Sequence, residues 1–141
     1  MAQNTDLITY NQKIFRLEWD SLVFLIAEDI EENFFLLSEG LKKTKVRLIR
    51  ASNGQEAVDI VSSGQRVDLV ITDIQMPVMD GFMATRLIRA IRQDLPIIAY
   101  TAFSYEGVHE KMAISGAQEC LIKPFENRTF LNAIRKYLFR T

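Results

Sequence analysis

The sequence predicts an α/β domain with a five-stranded parallel sheet and five helices. Five short apolar runs have the length of strands, namely LVFLIA from Leu22, KVRLIR from Lys45, VDLVIT from Val67, PIIAYT from Pro96 and QECLIK from Gln118. Between these runs, apolar residues return every three or four positions, which is the spacing of an amphipathic helix. Because strands and helices alternate throughout, the crossovers should be right-handed and helices should cover both faces of the sheet.

The spacing also predicts which side of the first helix is buried. The residues expected to face the core are Ile30, Phe34, Leu37 and Leu41. Phe35 lies off this stripe and should be partly exposed.

Glycines mark the predicted ends of helices. Gly40, Gly64 and Gly116 each follow a helical pattern and precede a strand. A left-handed C-cap is expected at each of these positions.

Composition and charge exclude several classes of protein. The chain has 141 residues, enough for one domain with its own core, and its net charge is −1, from 17 basic and 18 acidic residues. This balance gives no overall attraction to nucleic acid or to a membrane surface. A single cysteine, Cys120, excludes an internal disulfide framework and fits a reducing cytosol. The apolar runs are too short to span a membrane, and the first residues are too polar for a secretory signal, so we expect a cytoplasmic domain.

Polar residues stand where the predicted strands end. They are Glu28 and Asp29 after the first strand, Asp73 in the third, Thr101 in the fourth and Lys123 in the fifth. Ligands of parallel α/β sheets bind at the carboxyl ends of the strands. We therefore expect these five side chains to meet at one edge of the sheet.

Three carboxylates at one edge need compensation. Each close pair repels by roughly 4 kcal/mol at an effective dielectric constant near 20. Either the pKa values rise or a divalent cation binds, and an oxygen-only cluster suits Mg²⁺. With the metal bound, Lys123 and Thr101 could contact a phosphoryl group while Asp73 attacks phosphorus to form an aspartyl phosphate.

Four motifs in this order resemble the response-regulator receiver domain of two-component signalling. They are AED at 27–29, TDIQMPVMDG at 72–81, TA at 101–102 and KP at 123–124. The resemblance covers about Leu22 to Arg140. It implies a flavodoxin-like, doubly wound sheet with the strand order 2-1-3-4-5, and we divide the chain into a linker or N-terminal extension, 1–20, and a receiver domain, 21–141.

The resemblance also implies the role of each acidic residue. Asp73 would be the phosphoacceptor. Asp29 and Asp73 would bind Mg²⁺ directly, together with the backbone carbonyl of Gln75, and Glu28 would contribute through water.

The switch residues follow from the same resemblance. Thr101 and Lys123 would respond to the phosphoryl group, and a cis peptide bond between Lys123 and Pro124 would direct the lysine inward. The family usually has an aromatic switch residue where this chain has Cys120. A thiol cannot replace a swinging ring, and Tyr100 and Phe103, which lie near Thr101, are the two candidate substitutes.

Partners are likewise implied. A receiver of this kind takes its phosphoryl group from a histidine kinase or a histidine phosphotransfer domain, and Phe35 would dock that partner. The motifs look more like receivers attached to hybrid histidine kinases than like free transcription factors. A homodimer through the fourth helix, fifth strand and fifth helix is possible, and neither nucleic acid nor a membrane is an expected partner of this domain.

Three other functions compete with this interpretation. A haloacid-dehalogenase-type phosphatase needs a second aspartate two residues after the nucleophile, where this chain has Gln75. A flavin or nucleotide module needs a phosphate loop after the first strand, where Glu28 and Asp29 would repel phosphate. A receiver-like scaffold that is never phosphorylated stays open. We expect no enzymatic turnover beyond self-phosphorylation and slow dephosphorylation, and we assign Asp80 and Gly81 to an ordinary turn.

Overall fold

A computed structural model describes residues 19–139 of the chain. Within these residues, strands and helices alternate as β1 Val23–Ala27, α1 Glu31–Leu41, β2 Arg47–Ala51, α2 Gly54–Ser62, β3 Leu69–Asp73, α3 Gly81–Ile91, β4 Ile97–Thr101, α4 Val108–Ser115, β5 Glu119–Ile122 and α5 Asn127–Leu138. A 3-10 turn, Lys42–Thr44, extends α1. The predicted five strands and five helices are confirmed for the described part of the chain.

The five strands form one parallel sheet in the order β2-β1-β3-β4-β5, as predicted. Strands β1, β3 and β4 are buried along their whole length, which explains why their sequences are apolar on both sides. All carboxyl ends lie at one edge of the sheet.

Each face of the sheet has its own core. Helices α1 and α5 cover one face, where Phe24 and Ile26 of β1 pack among residues such as Leu41 and Phe130. Helices α2 and α3 cover the other face. Because successive strand residues point to opposite sides, the same strands supply side chains to both cores. Helix α4 packs over a smaller cluster of buried residues, Ile74, Ala99, Val108 and Met112.

Two of the three predicted glycine caps occur. Gly64 and Gly116 have φ values of 82° and 111°, in the left-handed region. The prediction for Gly40 is wrong, because α1 continues through it and the left-handed residue is Lys45, with φ 62°. Gly40 instead lies against α5, where Asn127 Nδ2 donates to its carbonyl oxygen at 3.1 Å and a Cβ would collide with the asparagine side chain.

The buried side of α1 differs from the prediction at one position. Leu37 and Leu41 are buried and Phe34 is half-buried, but Ile30 is 51% exposed. Ile30 precedes the helix in an extended conformation, so the helical spacing does not apply to it. Phe35 is exposed, as predicted.

Residues 1–18 lie outside the described part of the chain, so the division at residue 20 stays a prediction. Trp19 is buried and its ring lies 5.8 Å from that of Phe24 and 6.2 Å from that of Phe139. Between residues 19 and 139, no helix has the length and apolar character needed to cross a bilayer.

Candidate functional site

The carboxyl edge of the sheet brings the three predicted acids together. Glu28, Asp29 and Asp73 each offer a carboxylate oxygen, and these oxygens all lie within 4.8 Å of one another. The Glu28 backbone N–H donates to the Ala51 carbonyl at 2.9 Å, which continues the β1–β2 ladder up to the acid pair. Asp73 is the last residue of β3, next to β1 and β4.

Glu28 is fully buried and has partners on three sides. Its Oε2 accepts from the Ile30 backbone N–H at 3.0 Å, and its Oε1 accepts from the Tyr100 hydroxyl at 2.6 Å. Lys123 Nζ lies 4.0 Å from the same Oε1. A buried carboxylate needs such partners, and they hold its side chain in one orientation.

Tyr100 belongs to this site, and the sequence did not reveal its contact with Glu28. It is fully buried in β4 and hydrogen-bonded to Glu28, so it does not provide the swinging ring that the family usually has where this chain has Cys120. Burial and the hydrogen bond to Glu28 hold the pKa of Tyr100 well above its ordinary value, so the hydroxyl stays protonated and donates. The only sequence signal was a tyrosine near the end of an otherwise apolar strand.

Lys123 rests between Glu28 and the ring of Tyr100. Its Nζ lies 4.6 Å from the ring centroid, within the range of a cation–π contact. The Lys123–Pro124 peptide bond is cis, and the Lys123 backbone N–H donates to the Thr101 carbonyl at 2.8 Å. The lysine therefore starts beside the end of β4 and reaches back over the carboxylates.

Asp73 is only 9% exposed. Its Oδ1 accepts from the Gln75 backbone N–H at 3.2 Å. Burial, and then the negative charge of Glu28, raises the pKa of Asp73 from 3.8 to about 6, although the Gln75 N–H and Lys123 act in the opposite direction. The charge of Glu28 thus opposes the ionisation of Asp73, which agrees with the repulsion expected from the sequence.

Thr101 stands at the end of β4 on the other side of Asp73. Its side chain is buried, and its Oγ1 accepts from the Phe103 backbone N–H at 3.1 Å. Thr101, Asp29 and Gln75 line the same surface cleft. The hydroxyl proton can be donated into that cleft.

The residues present fit a hard divalent cation. Asp29 Oδ1 is buried and has no hydrogen-bond partner among residues 19–139. Asp29 is not the N-cap residue of α1, because that residue is Ile30, which makes no side-chain cap hydrogen bond. An unpartnered buried oxygen beside two further carboxylates is a donor set that suits Mg²⁺.

Gly81 also contributes to the site, although the sequence indicated only a turn. Asp80 Oδ1 accepts from the Met83 backbone N–H at 2.9 Å, as an N-cap does. The Gly81 backbone N–H donates to the Ile74 carbonyl at 2.8 Å. A Cβ on Gly81 would collide with the backbone carbonyl oxygen of Asp73, so only glycine lets α3 begin this close to the acid.

Phe35 and Cys120 do not belong to this cluster. Phe35 is 57% exposed on α1 and lines a shallow depression with Glu31, Glu32 and Leu36. Cys120 is partly exposed in β5.

The family model of the response regulator receiver domain matches residues 24–135. Among curated proteins, the chain is 39% identical over 105 residues to the sensor protein EvgS of Escherichia coli, covering 74% of this chain but only 9% of EvgS. Other curated relatives are response regulators. The chain is 32% identical over 116 residues to the polar-differentiation response regulator DivK of Brucella anthropi, and this match covers 81% of this chain and 94% of DivK.

Solved structures give the same result. The receiver domain of the sensor histidine kinase PA1611 from Pseudomonas aeruginosa, with a magnesium ion in its active-site cleft, has a TM-score of 0.77 at 30% identity and covers 84% of this chain and 98% of its own. The receiver domain of Ssk1 from Saccharomyces cerevisiae, crystallised with the histidine phosphotransfer protein Ypd1, has a TM-score of 0.75 at 29% identity, covering 83% and 88%.

Proposed function

The chain belongs to the response-regulator receiver family, and from this premise we propose that Asp73 accepts a phosphoryl group from a phosphohistidine donor with the help of Mg²⁺. The convergence of Glu28, Asp29 and Asp73 within 4.8 Å carries the proposal. The domain is a receiver of two-component signalling, which is not a family of enzymes with turnover.

Asp29, Asp73 and the carbonyl of Gln75 would hold the metal, with Glu28 acting through water. When bound, Mg²⁺ would offset the charge of the carboxylates and of the phosphoryl oxygens. The buried, unpartnered Oδ1 of Asp29 supports this assignment.

The chain's own residues carry out the transfer. An Asp73 carboxylate oxygen attacks phosphorus, a P–O bond forms, and the P–N bond to the donor histidine breaks, leaving its electron pair on the nitrogen. Lys123 Nζ, 4.0 Å from Glu28 Oε1, and the Thr101 hydroxyl, which lines the cleft beside Asp29, would contact the phosphoryl oxygens. Gln75 stands where a phosphatase of the haloacid-dehalogenase type would have its general acid, and an amide cannot supply that proton.

Phosphorylation would then switch the surface near α4 and β5. It adds about −1.5 to −2 charge at Asp73, which attracts Lys123 away from Glu28 and Tyr100. Thr101 would follow toward the phosphoryl group and shift the end of β4. Because Tyr100 is buried and hydrogen-bonded, the signal in this chain would pass through Thr101 and Lys123 rather than through a swinging ring.

The donor would be a histidine kinase or a histidine phosphotransfer domain that docks on α1. Phe35 and Leu36 are 57% and 67% exposed there, and a groove lined by Leu37, Pro124 and Phe125 runs beside them. Exposed apolar side chains next to a reaction site favour a protein partner. Since EvgS and PA1611 are sensor proteins, we assign this chain to a hybrid histidine kinase. A coding sequence of the full protein that encodes no histidine kinase domain would contradict this assignment.

A homodimer through α4, β5 and α5 remains a proposal. Ile114 on α4 is 86% exposed and would lie in such an interface. Sedimentation of the protein with and without beryllofluoride measures it, and a monomer in both states would refute it. A cytoplasmic location also stays a prediction, with which the free Cys120 thiol agrees.

Intact mass after incubation with acetyl phosphate and Mg²⁺ tests the function. We expect one phosphate, about 80 Da, on the wild-type protein and none on Asp73→Asn or in EDTA. Asp80→Asn is the matched control, because Asp80 caps α3 and should leave the mass gain intact. If the folded wild-type protein gains no phosphate, the result contradicts the proposed function and favours a receiver-like scaffold that is never phosphorylated.

Transfer from a phosphorylated histidine phosphotransfer domain tests the docking surface. Phe35→Ala should slow this transfer roughly tenfold, since a buried interface aromatic often contributes more than about 1.4 kcal/mol. Phosphorylation by acetyl phosphate, which needs no docking, should be unchanged. If Phe35→Ala slows phosphotransfer and phosphorylation by acetyl phosphate equally, Phe35 supports the fold and does not dock the partner.

A further inference from the structure

Arg50 reaches from the edge strand β2 across the end of β1. It pairs in register with Ile26, whose side chain packs on the face covered by α1 and α5. Its guanidinium donates twice, from Nε to the Glu28 carbonyl at 3.2 Å and from Nη2 to the Asp29 carbonyl at 3.1 Å. One side chain therefore holds the two successive carbonyls of the acid pair.

These carbonyls belong to the short loop that carries the acid pair. Residues 28–30 connect β1 directly to α1, and the N-cap residue of α1, Ile30, makes no side-chain cap. The Glu28 side chain is held by Tyr100 and by the Ile30 N–H. Asp29 Oδ1, by contrast, has no hydrogen-bond partner within residues 19–139, so its orientation depends on the backbone that Arg50 holds.

The guanidinium is itself held in place from the helix side. Its central carbon lies 5.5 Å from the ring centroid of Phe34, which is half-buried in the first turn of α1. The rigid fork of arginine suits two carbonyls at once, and its flat face suits an aromatic ring. Arg50 thus joins β2, the acid-pair loop and α1.

We infer that Arg50 is a positioning residue for the metal end of the site, which orders Glu28 and Asp29 for Mg²⁺ before the ion arrives. This inference rests on the proposed function, in which these carboxylates bind Mg²⁺. Partners that orient metal ligands without touching the ion commonly change metal affinity by about 10- to 100-fold.

The charge of Arg50 has the opposite effect from its hydrogen bonds. A positive charge near a cation site repels the ion. If the charge were the only effect of Arg50 on the site, removing this side chain would strengthen Mg²⁺ binding. Loss of the two hydrogen bonds should weaken Mg²⁺ binding. The direction of the change in affinity therefore distinguishes positioning from electrostatics.

Calorimetric titration of the whole chain with Mg²⁺ is the experiment. Arg50→Met should raise the Mg²⁺ dissociation constant roughly tenfold. Arg47→Met is the matched control, because Arg47 is an exposed arginine of the same strand, and its effect should stay within about twofold. Arg50→Lys keeps the charge but cannot bridge both carbonyls, so it should bind Mg²⁺ at least as weakly as Arg50→Met.

The rate of phosphorylation by acetyl phosphate separates positioning from general damage. In Arg50→Met the Mg²⁺ concentration for half-maximal rate should rise, whereas the rate at saturating Mg²⁺ should approach that of the wild type, since Asp73, Thr101 and Lys123 are intact. Thermal unfolding of each variant in EDTA verifies that it is folded.

The outcomes separate the two claims. A wild-type protein that binds Mg²⁺, with Arg50→Met binding as tightly as Arg47→Met or more tightly, would overturn the role of Arg50 alone. A lower rate for Arg50→Met at every Mg²⁺ concentration, with unchanged affinity, would also overturn it. A folded wild-type protein that binds no Mg²⁺ would overturn the proposed metal site itself.

Discussion

Asp73 must be ionised to act as a nucleophile, yet its surroundings oppose that charge. It is 9% exposed, and its pKa is raised to about 6 by burial and by Glu28. With a pKa of about 6, most Asp73 carboxyl groups are ionised near neutral pH, but without a bound cation this charge costs stability. Metal binding would relieve that cost.

The pH dependence of stability follows from this shift. The pKa of the Asp73 carboxyl group rises from the ordinary value of 3.8 to about 6 in the folded protein. Such a group contributes stability at low pH, and that contribution is lost as the pH rises through about 6. In EDTA at pH 8, Asp73→Asn should therefore be more stable than the wild type, by at most about 3 kcal/mol, and the difference should disappear near pH 4. Urea unfolding at both pH values measures it.

Asparagine is a suitable replacement because its Oδ1 can still accept from the Gln75 N–H. Saturating Mg²⁺ at pH 8 should stabilise the wild type more than the variant. Equal stability of the two proteins at pH 8 without metal would show that the site tolerates the charge.

The Tyr100 hydroxyl is the donor on which the buried Glu28 carboxylate depends. Tyr100→Phe keeps the ring beneath Lys123 but leaves a buried oxygen without its partner, so the free energy of unfolding should fall by about 1–3 kcal/mol. Urea unfolding in EDTA measures this change.

Tyr137→Phe is the matched control for this prediction. The Tyr137 hydroxyl donates to Glu119 at 2.6 Å, but both residues are half-buried and water can replace the bond. Its loss should cost less than about 1 kcal/mol. Equal effects of the two substitutions would mean that Glu28 is solvated more easily than its burial indicates.

The strand-end residues of the site could be predicted because topology alone places them. A residue at the carboxyl end of a parallel strand reaches the same edge whatever its rotamer. The contacts of Tyr100 and Arg50 could not be predicted, since they depend on the face of the strand and on where a long side chain ends. Such contacts leave no spacing pattern in the sequence.

At the level of elements, the first turn of α3 lies directly against the end of β3. The Gly81 N–H donates to the Ile74 carbonyl at 2.8 Å, and a Cβ on Gly81 would lie 2.8 Å from the Ile74 Cα as well as colliding with the Asp73 carbonyl oxygen. The position of Asp73 is thus tied to the start of a helix.

Gly81→Ala should therefore damage the site as well as the fold. We expect a loss of about 1–3 kcal/mol from the crowding and a slower phosphorylation of the protein that remains folded, because the end of β3 must move. Denaturant unfolding and the acetyl phosphate rate measure the two effects.

Gly64→Ala provides the comparison. Gly64 has φ 82°, but a Cβ at this position would have no neighbour within 4 Å. Alanine there should cost about 1–2 kcal/mol of backbone strain and leave the phosphorylation rate unchanged. If both variants are phosphorylated at the wild-type rate, the contact between α3 and β3 does not position Asp73.

Helix boundaries were harder to predict than helices. Ile30 continues the apolar spacing of α1 but precedes the helix, and Gly40 resembles a cap but is the contact point for α5. Periodicity is a property of a helix interior, so it does not show where the first residue lies. A glycine selected for close packing looks the same in sequence as one selected for its backbone conformation.

At the level of the whole molecule, the alternation of strands and helices was sufficient to predict a parallel sheet with two cores. It was not sufficient to predict the order of the strands, since several orders satisfy right-handed crossovers. The order came from the motif resemblance, and the structure confirms it. The site lies where the order reverses, with β1 and β3 side by side and their helices on opposite faces.

Trp19 and Phe139, the first and last residues that the structure describes, touch through their rings. Trp19 precedes β1, and α5 runs back from the carboxyl end of β5, so both lie at the edge of the sheet remote from Asp73. Polypeptide joined to the domain at either point starts away from the carboxylates. Because its two ends are adjacent, the domain is suited to insertion into a surface loop of another protein. The same proximity suits circular permutation, in which a short linker joins these ends. In both cases the junction is remote from Asp73.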